Sequence, residues 1–204
     1  MMDSILAALL GYALGSIPFG LILTKLAGMG DVRDIGSGNI GATNVLRTGN
    51  KGLAAATLLL DLVKGFLPVF LAWRCFDEPT AMPDVFYGPV ACAALGAIVG
   101  HCFPIWLKFK GGKGVATNAG VCFGIAWPIG LSYALVWIAV LALMRISSLA
   151  GMSAVAAAAV AAFFLGAINF VPVLIVIAIL IVWLHRENVK RLISGTEPKV
   201  GSQK

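Results

Sequence analysis

Charge is what this sequence has least of. Only 12% of its 204 residues are Asp, Glu, Lys or Arg, and just 9 of those are acidic, while 60% are hydrophobic. That is too little polar side chain to cover a water-soluble globule, which excludes a soluble domain. Histidine is scarce as well: there are 2, and no cysteine and histidine spacing resembles a zinc site, so neither a metal nor any other cofactor is expected. The 4 cysteines (Cys75, Cys92, Cys102 and Cys122) are widely separated and form no Cys-x-x-Cys pair, so they read as packing residues rather than redox or metal ligands. The start of the chain carries no basic n-region. Its first apolar stretch, about Ile5 to Leu23, lacks a small-x-small cleavage site and is expected to remain as a spanning helix.

What is present in excess is positive charge, +6 in net. In so apolar a chain this points to cytoplasmic loops and to anionic lipid or substrate rather than to nucleic acid. The apolar blocks set the topology. One runs from about Ile5 to Lys25 with Pro18 expected to bend it, another from about Leu53 to Trp73, and a third from about Val85 to Leu107. The block from Val115 to Leu143 is interrupted by Pro128. The block from Ile146 to Leu184, interrupted by Asn169 and Pro172, is too long for one crossing of a core roughly 30 Å thick and must be a hairpin.

Splitting the fourth block near Pro128, into two short segments, puts Lys25, Arg33, Arg47, Lys51, Lys108, Lys110, Lys113, Arg145, Arg186, Lys190, Arg191, Lys199 and Lys204 on one face. Arg74 and the acidic stretch with Asp77, Glu78 and Asp84 then fall on the other. The expected fold is an all-α integral membrane protein with seven transmembrane helices, some short or tilted. Its N-terminus is outside, its C-terminus cytoplasmic, and residues 1–204 form a single membrane-embedded domain. No internal repeat suggests an inverted-repeat transporter.

Three polar clusters converge on the basic face: Gly36 to Arg47, His101 to Thr117, and His185 to Lys199. The first two pair glycines with a nearby cation, Arg47 or Lys113. Open backbone N–H groups beside a cation bind phosphate, more so where the loop opens a helix, as Gly111 to Gly114 running into Val115 is expected to do. This is no Walker A sequence, since the first glycine and its spacing are absent. A plain turn carrying a snorkelling lysine is the competing account of that loop. In the third cluster, His185 and Asn188 share a helical face with Arg186 adjacent and Glu197 further on. His185 reads either as an interfacial anchor or as a base. Asp61 and Lys64 form an opposite-sign i,i+3 pair within a span, a structural ion pair or a site-facing one.

Across these clusters the chain resembles the bacterial acyl-phosphate:glycerol-3-phosphate acyltransferases, along essentially its whole length. The motifs that carry the resemblance are Gly36 to Asn44 through Arg47, Gly100 to Pro104 through Phe109 to Thr117, and His185 to Asn188 through Arg191 and Gly195 to Glu197. The resemblance implies transfer of an acyl group from acyl phosphate to the 1-hydroxyl of glycerol 3-phosphate, giving lysophosphatidic acid and phosphate. It implies no metal, no acyl-CoA and no acyl carrier protein as direct donor. It also implies a multi-pass enzyme of the bacterial cytoplasmic membrane, in contact with membrane lipids, whose motifs face the cytoplasm.

On this reading Ser37, Lys113, His185 and Asn188 are catalytic, His185 and Asn188 orienting the glycerol hydroxyl, whose proton goes either to His185 or to a substrate phosphate. Asn39, Asn44, Arg47, Gly111, Gly112, Gly114, Thr117 and Arg186 hold the phosphate groups, and His101, Asp61, Lys64 and Glu197 give structural support. Two phosphate-bearing substrates need cations and N–H donors more than a strong base. Direct attack by the substrate hydroxyl is therefore preferred to an acyl-enzyme on Ser37, which has no base beside it in the sequence. Two other classes compete. A transporter of a phosphorylated solute would use the same basic face, although transporter sites usually lie at the midplane. A non-enzymatic lipid-binding protein would explain the basic face but not the Ser/Asn/Gly-rich first loop.

Overall fold

The computed structural model describes residues 1–76 and 88–201. Asp77, Glu78, Asp84 and the start of the third apolar block at Val85 lie outside the described residues, as does Lys204. Helices α1 (Met2–Gly15), α2 (Phe19–Leu26), α3 (Ala42–Leu46), α4 (Lys51–Cys75), α5 (Pro89–Cys102), α6 (Val115–Ile125), α7 (Trp127–Met144), α8 (Ser147–Phe164), α9 (Val171–Leu184) and α10 (Arg186–Ile193) follow one another, joined by turns and short 3-10 segments. No strand occurs among the described residues.

Five segments among the described residues are long and apolar enough to cross a membrane: Met2–Leu26, Lys51–Cys75, Pro89–Leu107, Trp127–Met144 and Ser147–Phe164. The pair Ile168–Leu184 and Arg186–Ile193, bent by 61°, adds a sixth when counted as one span. The outward surfaces of these helices carry exposed Leu59, Leu135, Ile138, Phe163 and Ile179, which suits lipid and not water. The chain is a multi-pass membrane protein.

Small residues bring the helices together. On α1, a Cβ at Gly11 or Gly15 would stand 2.3 or 2.2 Å from the carbonyl oxygens of Ala93 and Ala97. In return, one at Gly96 or Gly100 on α5 would stand 2.3 Å from Ala8 O or Tyr12 O. Each helix thus offers a small-xxx-small face to the other, and their backbones touch. A second such pair joins α4 to α6, where Gly65 lies against the Thr117 carbonyl and Gly120 against that of Leu62. These contacts fix α6 against α4, and α6 carries the glycine-lysine loop at its start.

The first span breaks where expected. Helix stops at Gly15 and resumes at Phe19, with Pro18 as the N-cap of α2. The break frees carbonyl groups, and donors from elsewhere meet them: Trp106 Nε1 donates to Ser16 O at 2.8 Å and Lys64 Nζ to Ile17 O at 2.7 Å. The same Nζ lies 2.7 Å from Asp61 Oδ1, an ion pair by charge and distance whose angle falls outside that of a hydrogen bond. Both side chains are buried, so the pair serves the interior of the bundle rather than an open site.

The fourth apolar block folds back on itself at Ala126, whose extended backbone separates α6 from α7, and Pro128 sits in the first turn of α7. Tyr133 Oη donates to Val115 O at 2.8 Å, tying the two legs. Two short halves were expected, and only one is short. Helix α6, at 11 residues, spans about 16 Å at about 1.5 Å per residue. Helix α7, at 18 residues, is long enough to cross. Proline at the start of α7 costs the helix nothing, because the N–H it lacks would be unpaired there. The long fifth block is the expected hairpin, α8 turning into α9 through residues 165–170.

Candidate active site

Helix α6 begins abruptly. Its N-cap is Gly114, in the left-handed region at φ 84°, and no side chain caps it. The first N–H groups of a helix have no intrahelical acceptor, so the start of α6 presents unpaired donors and the positive end of its dipole. The loop that delivers the chain there is fixed from below. Gly111 N donates to Cys102 O and Gly112 N to His101 O, each at 3.0 Å. This corrects the expectation of a loop whose glycine N–H groups are all open to phosphate. The N–H groups of Gly111 and Gly112 hold the loop on the end of α5, and the donors left unpaired belong to the first turn of α6.

The reason for glycine at position 112 is packing. An added Cβ would stand 2.0 Å from His101 Nε2. His101 is buried beneath the loop, its Nδ1 lying 3.0 Å from Thr117 Oγ1 and 3.9 Å from Asp61 Oδ1. Thr117 was expected among the phosphate ligands. It is fully buried with its hydroxyl against His101, so it lies under the site with Asp61, Lys64 and His101 rather than lining it.

Lys113 projects from this supported loop and donates to Asn188 Oδ1 on α10. Asn188 Nδ2 in turn donates to Glu197 Oε1 at 2.6 Å. A carboxylate only accepts and an ammonium only donates, so one orientation of the Asn188 amide satisfies both. Glu197 is the junction of this chain: Oε1 also accepts from Ser148 Oγ at 2.6 Å, and Oε2 from Arg191 Nε at 2.7 Å. Burial pushes the Glu197 carboxyl up, but the hydrogen bonds from Ser148, Asn188 and Arg191 outweigh it and hold the group below the ordinary carboxylate range. Lys113 is shifted below an ordinary lysine, first by burial and then by the positive charge of Arg191. Arg186 and Arg47 push the same way, while Glu197 opposes them.

His185 sits at the junction of α9 and α10, almost fully buried. Its Nδ1 lies 2.7 Å from Ile181 O. A carbonyl only accepts, so in the neutral ring the proton is on Nδ1 and Nε2 is left as an acceptor.

The first loop is organised by Asn44. Its Nδ2 faces Val32 O at 2.7 Å, Asn39 O at 2.8 Å and Ile35 O at 3.1 Å, while Oδ1 accepts from Ser37 N at 3.0 Å, Ser37 Oγ at 3.3 Å and Arg47 Nη1 at 3.3 Å. With these bonds its polar atoms are engaged within the loop, which places Asn44 as the holder of Ser37 and Arg47 rather than as an open donor. Asn39 Oδ1 accepts from Gly41 N at 3.3 Å, an Asx turn. Gly36, at φ 56°, lets Arg47 lie across the loop: a side chain there would meet Asn44 and Arg47 within 2.7 Å. Ser37 is exposed and donates to an amide oxygen, not to a base.

Arg186 is turned outward. Its guanidinium stacks on Trp183, 4.7 Å from the ring centroid, and reaches Lys113 only through its charge. Two residues of the site have no assigned role in the sequence reading. Arg191 lies within a recognised motif but was given no contact. Ser148 lies in the first turn of an apolar helix outside all three motifs, and nothing local distinguishes it from its neighbour Ser147.

Residues 5–195 match the family model described as Glycerol-3-phosphate acyltransferase. A relative of that name from Erythrobacter litoralis is 66% identical over 202 residues, which is 99% of this chain and 98% of the relative. Another, from Mesorhizobium japonicum, is 53% identical over 199 residues, 98% of this chain and 97% of its own. Among solved structures, the crystal structure of PlsY (YgiH), an integral membrane glycerol 3-phosphate acyltransferase, is similar in its glycerol 3-phosphate form. The TM-score is 0.88 at 37% identity, covering 97% of this chain and 96% of that one. The lysophosphatidic acid form of the same protein gives a TM-score of 0.86 at 36% identity, covering 97% and 95%.

Proposed function

We propose, from the premise that this chain belongs to the glycerol-3-phosphate acyltransferase family, that it moves a fatty acyl group from acyl phosphate to the 1-hydroxyl of sn-glycerol 3-phosphate. The products are lysophosphatidic acid and inorganic phosphate. The observation that carries the reading is the convergence of cations on the uncapped start of α6: Lys113 in contact with Asn188, and Arg47 and Arg191 near enough for their charges to act on it. Two phosphate-bearing substrates need such a site, and an acyl group needs little more, because phosphate is already a good leaving group.

In the proposed step the 1-hydroxyl oxygen attacks the acyl carbonyl carbon. The bond between that carbon and the phosphate oxygen breaks, and phosphate leaves with the electron pair. His185 Nε2 accepts the hydroxyl proton, a role supported by the hydrogen bond that keeps Nδ1 protonated. Lys113, with the first N–H groups of α6, stabilises the negative charge that develops on the carbonyl oxygen and leaving phosphate. Ser37 binds substrate and forms no covalent intermediate, a reading favoured by its hydrogen bond to Asn44 instead of to a base.

The proposed topology is seven crossings, with short α6 as one of them, the N-terminus outside and the C-terminus cytoplasmic. The site then faces the cytoplasm of a bacterial inner membrane, where glycerol 3-phosphate is dissolved and acyl phosphate, its chain in the membrane, presents its phosphate end to water. Support comes from the basic loops. Arg145, Lys113, Arg191 and the tail are joined at one end of the bundle by direct bonds or by charge, as in the pairing of Val200 N with Arg145 O at 2.7 Å.

The test is phosphate release from acyl phosphate by purified protein in detergent, with no gradient present. Release that requires glycerol 3-phosphate is the expected result. Flux of glycerol 3-phosphate into sealed vesicles without phosphate release from acyl phosphate would instead make the protein a transporter.

A further inference from the structure

The tail of the chain is tied back onto the turn between α7 and α8. Val200 N donates to Arg145 O at 2.7 Å and Arg145 Nη2 to Val200 O at 3.0 Å. Between these bonds and α10, Glu197 points inward, only 7% of its side chain exposed. The first turn of α8 supplies one donor to it, the hydroxyl of Ser148, itself 6% exposed. Arg191 anchors one carboxylate oxygen, and Ser148 and Asn188 share the other.

We propose that Ser148 is a positioning residue for acyl transfer, holding Glu197 so that Asn188 presents its carbonyl oxygen, and no other face, to Lys113. This rests on the acyl-transfer reading above and adds a residue from outside the three motifs. Ser148 touches no substrate. Its effect passes through three hydrogen bonds, Ser148 to Glu197, Asn188 to Glu197 and Lys113 to Asn188, and through the charge of Glu197.

Removing the hydroxyl has a defined consequence. Glu197 loses one of its three side-chain donors, the one that ties Oε1 to α8, and is free to swing away from Asn188 and Lys113. The charged groups facing Lys113 are Arg47 from the first loop, Arg186 and Arg191 on α10, and Glu197 from the tail; His185 at the α9–α10 junction lies within range of both Lys113 and Glu197. Among these only Glu197 favours the ammonium form. When Glu197, ionised throughout the alkaline range in which a lysine titrates, swings away from its place, Lys113 keeps only like-charged neighbours and loses its own proton at lower pH. Activity that needs the Lys113 ammonium is then lost earlier as pH rises.

The test compares wild-type, Ser148→Ala and Ser148→Thr proteins in detergent for kcat, KM and pH–rate profile. The expected result is a fall in kcat of about tenfold for Ser148→Ala, in line with small misplacements at a distance from the chemistry. The alkaline limb should move to lower pH, and Ser148→Thr, which keeps the hydroxyl, should recover most of both. A wild-type pH profile in active Ser148→Ala overturns the proposal, as does a loss that Ser148→Thr leaves unrepaired. Should Ser148→Ala fail to elute as one species, Ser148→Cys, a weak donor, carries the same comparison. If wild-type protein transfers no acyl group, the reaction reading fails separately. The pH dependence of glycerol 3-phosphate binding by calorimetry, wild type against Ser148→Ala, then decides the positioning claim without chemistry.

Discussion

Replacing Lys113 with alanine is expected to lower kcat/KM by about 10²–10³-fold, the usual cost of removing one pre-organised donor to a developing negative charge. Lys113 stands at the start of α6, is held by Asn188, and is the cation common to the loop and the tail. Other positive charges nearby do not replace it. Arg191 has its Nε on Glu197, and Arg186 is stacked on Trp183. The sign of its pH dependence follows from its surroundings. Burial and neighbouring arginines lower its proton affinity, so the active ammonium form is present at low and neutral pH and is lost at a pH below that of an ordinary lysine. The wild-type alkaline limb should show this, and Lys113→Arg, whose guanidinium stays protonated, should remove that limb from whatever activity it retains. Steady-state rates between pH 6 and 10 make the check. Near-normal turnover of Lys113→Ala would refute the electrostatic role.

The second large effect is expected at Gly112. Alanine there puts a methyl group 2.0 Å from His101 Nε2, and the ring cannot retreat because Thr117 and Asp61 stand behind it. The loop must lift, which breaks the bond from Gly112 N to His101 O and displaces Lys113. A loss of about 10²-fold in kcat/KM is expected. Gly52→Ala is the matching control: near the start of α4 an added Cβ finds only an ordinary contact at 3.5 Å to Asn50 Oδ1, and alanine favours the helix. That variant should keep wild-type rates and match or exceed wild-type Tm. Equal losses at both positions would mean that the tight seat over His101 has no special part in the site.

Much of the architecture was legible because a membrane leaves few choices. Long apolar blocks gave the spans, Pro18 gave the break in the first, and excess length between Ile146 and Leu184 gave the hairpin of α8 and α9. Asp61 and Lys64 were legible as a pair because unpaired charges at that depth are too costly.

The site was legible by residue type and less so by role. Glycine-rich sequence signals both open N–H groups and close packing, and the sequence alone does not separate the two. At Gly111 and Gly112 the contacts with Cys102, His101 and Pro104 show packing. Asn44 and Thr117 looked like donors to a ligand because the partners they meet, in the Val32 to Asn39 segment and on α5, are brought to them only by folding. Ser148 carried no local signal at all: its partner, Glu197, is 49 residues away and reaches it through a tail that folds back on Arg145. The length of α7 was misjudged for a simpler reason, since Pro128 marks the beginning of a helix there and not the middle of a break.

The central claim is that two phosphate-bearing substrates meet at the start of α6 and exchange an acyl group directly. Its most direct measurement is an assay of the purified protein with glycerol 3-phosphate and either acyl phosphate or acyl-CoA as donor, with the lipid product identified. Formation of lysophosphatidic acid and phosphate from acyl phosphate, and no product from acyl-CoA, is the predicted result. Equal product from acyl-CoA, or none from acyl phosphate, would contradict it.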